Sequence, residues 1–216
     1  PVVTYINSYA EVKAETDYCC TSANALKVIQ HAAREFGTDR IIFLPDSLMG
    51  MNLQNEMDQS GIKLDLIYPG KYDDAYGKCE VHEKLTGDDL RRIRAQYNIP
   101  RDDPDTVILV HWECAPDVIE EADFHGSTSD MIRYLAEHPG LERVYLGTEC
   151  EMTANLATEF PGIEFVRTCQ IFCQHMGKIT LEKILYSLEN EVYEVDVPEN
   201  IRVRALTSIQ RMLEIG

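Results

Sequence analysis

Residues 77–86 read GKCEVHEKLT and place a cysteine and a histidine three positions apart, at Cys79 and His82. A related stretch, CQHMGKIT, occupies residues 173–180, so that Cys173 corresponds to Cys79 at an offset of 94 residues. Taken alone, each cysteine is best explained as an inert buried thiol, because cysteine is among the most buried residue types. Since the thiol recurs at the same place in a repeated segment, we predict that both are ligands of one shared metal centre.

Three further blocks of sequence repeat in the same order along the chain. The paired blocks are residues 1–7 with 107–113, residues 17–23 with 123–129, and residues 40–49 with 143–152. The first two pairs are 106 residues apart and the third is 103 apart, as insertions in connecting loops would produce. We therefore predict two copies of one unit, spanning residues 1–104 and 105–216, with a linker at residues 98–104.

Each copy alternates short apolar runs with segments of helical periodicity. The runs at residues 1–6, 40–44, 64–68 and 107–113 are typical of buried strands. Helices are predicted from a Thr21 or Ser22 cap to Phe36, from about Asn52, and from a Thr86 cap to Tyr97. This alternation favours an α/β fold of two repeated αβα units, each with a parallel sheet covered on both faces.

Polar residues cluster just past the predicted strands, where parallel sheets form their ligand crevice. The residues in these positions are Tyr5, Asn7, His111, Glu113, Thr148 and Glu149. Ser22, Ser127 and Thr128 fall at predicted helix starts, where backbone N–H groups favour carboxylate or phosphate. Helix capping alone would also explain these hydroxyls, and Glu113 is either a base or an ordinary loop carboxylate.

The net charge and the cysteine content limit the kinds of partner and the cell compartment that we expect for the chain. A formal net charge of −17 over 216 residues opposes binding to the phosphate backbone of nucleic acids, although a small anion held by local donors is compatible with it. Seven cysteines, an odd number, behind an N-terminus without a signal-peptide pattern favour reduced thiols in the cytoplasm. No apolar run approaches the ~18–20 residues that cross a bilayer, so we expect no membrane partner.

Seven short motifs, taken together and in order, resemble quinolinate synthase. They are Thr4–Ser8, Cys20–Ala25, Gly77–His82, His111–Cys114, Gly126–Thr128, Gly147–Glu149 and Cys173–Leu181. The resemblance implies a pseudo-threefold architecture of three similar α/β domains around a 4Fe-4S cluster, to which each domain gives one cysteine. Residues 1–104 would be the second domain and residues 105–216 the third, with cluster ligands Cys79 and Cys173. The third cysteine is expected from a first domain that this sequence lacks.

The resemblance also implies a reaction, in which iminoaspartate and dihydroxyacetone phosphate condense to quinolinate for NAD biosynthesis, with a functional link to aspartate oxidase. The open iron of the cluster would act as a Lewis acid. Tyr5 would be an acid/base group, Glu113 a proton acceptor or orienting group, and His82 a neighbour of the open iron. Asn7, Ser22, His111, Ser127 and Thr128 would hold substrate carboxylate or phosphate.

Two other interpretations stay open on the sequence alone. The chain could be a catalytically incomplete α/β module that binds a small dicarboxylate, since two thiolates are fewer than a cluster requires. It could also be a zinc protein that uses Cys79, Cys173 and His82 as ligands. Cys169 has no partner in the repeat, and its role is left open.

Overall fold

Two four-stranded sheets form the framework of the chain, and all of their strand pairs among the described residues are parallel. The computed structural model describes residues 1–72, 76–101, 103–166 and 171–216, so Cys169 lies outside the described residues. The first sheet contains β1 (Val2–Tyr5), β2 (Tyr18–Cys20), β3 (Arg40–Leu44) and β4 (Asp65–Ile67), in the order β2-β1-β3-β4. The second contains β5 (Thr106–His111), β6 (Phe124–Gly126), β7 (Arg143–Gly147) and β8 (Glu164–Val166), in the order β6-β5-β7-β8.

Helices connect the strands in the same order in both halves. The first unit contains α1 (Ala10–Ala14), α2 (Ala25–Phe36), α3 (Ser47–Gln59) and α4 (Gly87–Tyr97). The second contains α5 (Pro116–Glu121), α6 (Thr128–Glu137), α7 (Cys150–Glu159) and α8 (Leu181–Asn190), and α9 (Glu199–Ile215) follows it. The matching element and strand orders confirm the predicted α/β fold with two repeated αβα units. Within the described part of the chain, no helix is both long and apolar enough to span a membrane.

The start of α2 differs from the prediction. The helix begins at Ala25 with Asn24 in the cap position, so neither Thr21 nor Ser22 caps it. The Asn24 side-chain oxygen accepts hydrogen bonds from the backbone N–H of Thr21 (2.7 Å) and from its hydroxyl (3.1 Å). This contact folds the segment into a local turn, because short polar side chains compete with the helix for backbone partners.

The start of α3 also differs from the prediction, which placed it near Asn52. The helix begins at Ser47, because the Asp46 carboxylate accepts a hydrogen bond from the backbone N–H of Met49 at 2.6 Å. An aspartate at the cap position satisfies a donor that would otherwise lack a partner in the first turn. The additional helical turn brings the cap to the carboxyl end of β3, beside the candidate site.

The predicted Thr86 cap is confirmed. Its side chain accepts a hydrogen bond from the backbone N–H of Asp89, whose carboxylate in turn accepts from Thr86 N–H. This is a reciprocal capping box. In the second unit Thr180 caps α8 by accepting from the backbone N–H of Lys183, so the repeat extends to the cap itself.

The sequence prediction missed β2, β6 and β8, each of which lies at one edge of its sheet. Each has three residues, too few to display a period of two. The registers of β2 and β6 nevertheless follow the repeat, because Tyr5 pairs with Cys20 in the first sheet and His111 with Gly126 in the second. Residues 17–23 and 123–129, which the sequence repeat pairs with each other, therefore occupy equivalent places in the two sheets.

Helix α4 follows the first sheet in sequence but packs on the second unit. Leu85, Leu90 and Ile93 are at most 4% exposed and lie in one apolar cluster with Ile108 and Tyr145 of the second sheet. Arg94, at the end of the same helix, donates to the Asp123 carboxylate at 2.7 Å. The predicted division at residue 104 stays a prediction, but the helices do not follow it.

Helix α9 occupies the equivalent place on the first unit. It packs along α1 and β2, as α4 packs along α5. Its buried Ser208 donates to the carbonyl of Lys13 at 2.9 Å and lies 3.3 Å from the sulfur of Cys19. Each unit is thus completed by a helix that comes from outside its own run of strands.

Helix α8, the sequence counterpart of α4, has no such neighbour among the described residues. Leu90 of α4 is fully buried, whereas Ile184 at the corresponding position of α8 is 45% exposed. Other apolar side chains of α8 are also exposed, namely Leu181, Leu185, Tyr186 and Leu188. The same helix therefore covers a core in one repeat and presents an uncovered apolar face in the other.

This difference in burial predicts that truncating Leu90 destabilises the protein strongly, whereas truncating the corresponding Ile184 has little effect on stability. We expect Leu90→Ala to lower the free energy of unfolding by about 2–5 kcal/mol, because it leaves a cavity in the second core. Ile184→Ala should stay within about 0.5 kcal/mol of the wild type, as exposed substitutions usually do. Urea denaturation of both variants tests the pair, and equal losses would contradict the assignment of α4 to the second core.

Candidate functional site

The carboxyl ends of strands from both sheets open into one pocket of about 630 Å³. Six of the ten predicted site residues line it: Tyr5, Asn7, Cys79, His82, Glu113 and Cys173. Asp46 and Glu149, each just past the third strand of its unit, complete its acidic side. The pocket therefore lies between the units, and both predicted metal-ligating thiols face it.

A buried carboxylate joins two stacked imidazoles at the base of the pocket. An oxygen of Glu113 lies 2.9 Å from Nδ1 of His82 and 3.3 Å from Nδ1 of His111. The two rings stack with centroids 4.7 Å apart and planes tilted by 16°. Nε2 of His82 lies 3.0 Å from the hydroxyl of Thr148, which fixes the ring at its other end. All four side chains are buried.

Burial and proximity set the charges of this cluster. Burial alone would raise the pKa of Glu113, but its contacts with His111 and His82 outweigh this effect and hold the pKa well below its usual range. Burial lowers the pKa of His82, although Glu113 partly offsets this effect. At neutral pH the cluster thus holds an ionised carboxylate beside a neutral His82 imidazole, so that the carboxylate can orient the ring and the imidazole is the group able to accept a proton.

The backbone of each of the two cysteines, Cys79 and Cys173, is held by a hydrogen bond to a carboxylate. The carboxylate of Asp46 accepts a hydrogen bond from the backbone N–H of Cys79 at 2.9 Å, and Glu149 accepts from the N–H of Cys173 at 3.4 Å. Each carboxylate also accepts from the first turn of the following helix. The repeat therefore includes the support of the thiol as well as the thiol itself.

The loop before Cys79 packs tightly against the loop that carries Asp46. The backbone N–H of Ser47 donates to the carbonyl of Gly77 at 2.6 Å, and Gly77 N–H donates back to the Ser47 hydroxyl at 3.1 Å. A Cβ at position 77 would lie 2.1 Å from the carbonyl oxygen of Pro45. Glycine is therefore required for this approach of the two loops.

Tyr5 and Cys79 are both protonated at neutral pH in this environment. Burial, with a further contribution from Glu113, raises the pKa of Tyr5 to about 12, and a side-chain hydrogen bond with Ser22 partly opposes the rise. Burial likewise raises the pKa of the Cys79 thiol. The Tyr5 phenol is thus a proton donor, and Cys79 would release its proton only on binding a metal.

Ser22 and His111 lie just behind the pocket, whereas Ser127 and Thr128 serve α6. Ser127 is 1% exposed and uses its hydroxyl in a capping box with Asp130, while Thr128 is the first residue of the helix and is exposed. Both residues lie at a helix start, as predicted, but neither lines the pocket.

The sequence prediction did not single out Asp46, and it placed Thr148 and Glu149 in the crevice without assigning them a role. The signal was available in the repeat, because Asp46 and Glu149 are paired in the blocks at residues 40–49 and 143–152. A carboxylate that recurs at the same position in both copies can be identified as a candidate site residue, just as the recurring cysteines can. Thr148 has no such signal, since Pro45 occupies the corresponding position.

One group of side chains has the spacing of metal ligands. Single ligand atoms of Cys79, His82 and Glu113 all lie within 4.8 Å of one another. The thiols of Cys79 and Cys173 also line the same pocket, and thiolates are the ligands that iron–sulfur clusters use. The donors present therefore fit a thiolate-bound metal centre with a carboxylate and an imidazole beside it.

The fold and this pocket define a class of protein. Its members consist of repeated αβα units, and the strand ends of these units enclose one shared pocket that is lined by thiols. A family model, described as quinolinate synthetase A protein, matches residues 1–214. The chain belongs to this family.

Curated relatives agree with the family assignment. The chain is 40% identical over 215 residues to a quinolinate synthase of Caulobacter vibrioides, which covers 100% of the chain and 53% of the relative. It is 41% identical over 214 residues to quinolinate synthase 1 of Mesorhizobium japonicum, covering 99% of the chain and 59% of the relative. A quinolinate synthase of Xylella fastidiosa is 37% identical, with 57% of its length covered. The chain thus spans just over half the length of these relatives.

Asp46 makes stability depend on pH. Burial raises its pKa from 3.8 to about 6, so between these values the folded chain binds more protons than the unfolded chain. Its contribution to stability is therefore full below about pH 4 and is lost as the pH rises through about 6. The free energy of unfolding of wild type relative to Asp46→Asn should fall by up to about 2–3 kcal/mol over this range.

Urea titrations of the metal-free chain at several pH values measure this difference. A difference that stays constant between pH 4 and 7, or that grows with rising pH, would contradict the raised pKa of buried Asp46.

Proposed function

We propose that this chain supplies two of the three αβα units of a quinolinate synthase, which condenses iminoaspartate with dihydroxyacetone phosphate in NAD biosynthesis. The observation that carries the proposal is the pair of equivalent thiols, Cys79 and Cys173, in one pocket of a member of this family. The pocket has room for small substrates of this size. We place the activity in the cytoplasm, where thiols stay reduced, and expect an aspartate oxidase to supply the imine.

The proposed cofactor is a 4Fe-4S cluster with Cys79 and Cys173 as two of its ligands. When bound, such a cluster supplies a Lewis-acidic iron that polarises an oxygen or nitrogen of the substrate. The support for this assignment is the matched pair of carboxylate contacts that hold the two cysteine backbones. Ligand-supporting hydrogen bonds of this kind fix the orientation of metal ligands.

The remaining groups divide between accepting and donating protons. Glu113 is ionised and contacts the rings of His82 and His111, which supports a role in orienting neutral His82 as the proton-accepting partner of the pair. The Tyr5 phenol keeps its proton at neutral pH and lines the same pocket, which supports a role as donor. Asn7 lines the pocket near them and can hold a substrate carboxylate, whereas Ser22 does not line the pocket and contacts Tyr5 instead. Proposed substrate contacts of His111, Ser127 and Thr128 are less direct, because none of the three lines the pocket.

A third αβα unit is part of the proposal. Helix α4 of the first unit covers the second unit, whereas the corresponding face of α8 is exposed in the described chain. The relatives are nearly twice as long as the region they share with this chain. We assign the α8 face to a third unit of the same kind, which would also bring the third cysteine.

Charge placed on the α8 face should block this assembly. We expect Leu185→Asp and Leu188→Asp to prevent the chain from binding the part of the Caulobacter vibrioides relative that lies outside the matched region. Leu213→Asp, on an equally exposed leucine of α9, is the matched control and should leave binding unchanged. Size-exclusion chromatography of the mixed proteins measures the complex, and assembly by both α8 variants would contradict the assignment.

Cluster binding should depend on both cysteines of the pocket. Anaerobic reconstitution of the assembled protein with iron and sulfide should give about four irons per assembly and visible thiolate-to-iron absorption. Cys79→Ser and Cys173→Ser should each lower iron content and absorption severalfold, whereas Cys20→Ala, in the first core, should not. Failure of the wild type to take up iron would overturn the cluster assignment and support a module that only binds a dicarboxylate.

A mononuclear zinc site is the second candidate function. The observation that favours it is the close approach of ligand atoms from Cys79, His82 and Glu113, a set that differs from the predicted one by Glu113 in place of Cys173. Such a set resembles catalytic zinc sites, which use three protein ligands and keep one position open. Stoichiometric zinc that is lost in Glu113→Gln and retained in Cys173→Ser would favour this candidate over the cluster.

A further inference from the structure

Asn52, on α3 of the first unit, reaches across to the loop that carries Glu113 in the second unit. Its side-chain nitrogen donates one hydrogen bond to the carbonyl of Trp112 at 2.7 Å and another to the carbonyl of Cys114 at 2.8 Å. Asn52 is 4% exposed. One buried amide therefore holds the two peptide carbonyls on either side of Glu113.

Asparagine is well matched to this task. Its NH₂ group offers two donors from a single atom, whereas an aspartate in the same place would offer only acceptors. An aspartate would then face two carbonyl oxygens in a buried site, where unpaired polar groups are costly. The contact thus depends on the chemistry of the amide and not only on its shape.

The consequence of this contact extends to the proton-accepting cluster. The Trp112 and Cys114 carbonyls belong to the turn after β5, which is closed by a hydrogen bond from Cys114 N–H to the carbonyl of His111 at 3.0 Å. Fixing that turn fixes where the Glu113 carboxylate lies, and Glu113 is 2.9 Å from His82. Asn52 does not line the pocket and acts only through the loop.

We propose that Asn52 is a positioning residue that sets the orientation of Glu113, and through it His82, from the neighbouring unit. The inference rests on the proposed function for its catalytic meaning, because Glu113 and His82 form the proposed proton-accepting pair. Its geometric content, that one amide in the first unit controls a loop in the second, stands on the contacts alone.

The repeat provides a matched control. Asn155 occupies the corresponding position of α7, at the offset of 103 residues that relates the blocks around it, and it is exposed. The same substitution at position 155 therefore changes the same residue type, on the equivalent helix, away from the Glu113 loop.

The test compares Asn52→Asp, Asn52→Ala and Asn155→Asp in the full chain with two readouts. Trp112 is the only tryptophan, so intrinsic fluorescence and its quenching by acrylamide report on the loop directly. Nitrogen NMR of the His82 imidazole at one fixed pH reports on the contact with Glu113. Both position-52 variants should change both signals well below the unfolding temperature, whereas Asn155→Asp should match the wild type.

Binding of quinolinate to the reconstituted assembly that contains this chain, measured by calorimetry, links the geometry to function. We expect Asn52→Asp to weaken binding on the order of tenfold, because small displacements of a preorganised group lose much of its effect. If the wild type does not bind quinolinate, the proposed function fails, and the fluorescence and NMR signals still decide the positioning role. If Asn52→Ala folds, is less stable, and leaves both signals unchanged, the amide is merely structural and the proposal is overturned.

Discussion

The burial of helix α4 on the second sheet is the constraint on which the rest of the structure depends. Val81 and Leu85, on either side of His82 and its neighbours, are at most 3% exposed and belong to the second core. Their burial carries the Cys79–His82 segment out of the first unit and against Glu113 and Thr148. The site forms because the buried residues Val81 and Leu85 and the site residue His82 lie in the same short segment. Packing of the second core therefore also determines the position of His82.

The candidate site is symmetric in its thiols and asymmetric in its proposed proton-transfer groups. Cys79 and Cys173 are equivalent, and so are the carboxylates of Asp46 and Glu149 that support them. His82 has no equivalent, because the corresponding position holds exposed Met176. The proposed metal ligands thus occupy positions at which the two repeats agree, whereas the proposed acid and base groups occupy positions at which the repeats differ.

The repeat made much of this architecture predictable from sequence. Constant offsets identified both thiols and the paired parallel sheets, because insertions between blocks leave the internal spacing of each block intact. The offsets could not reveal that α4 leaves its own unit, since helical periodicity identifies a buried face without identifying what covers it. Nor could they separate a capping hydroxyl from a binding one: Ser127 satisfies its hydroxyl with Asp130, and only the coordinates distinguish the two roles.

The central claim is that thiols from two repeated units share one metal centre. Anomalous diffraction at the iron absorption edge, from crystals of the reconstituted assembly, tests it most directly. The account predicts one cluster of iron peaks, with one iron within bonding distance of the Cys79 sulfur, another within bonding distance of the Cys173 sulfur, and His82 and Glu113 beside the cluster. Iron bound to only one of these sulfur atoms, or located outside the pocket, would contradict it.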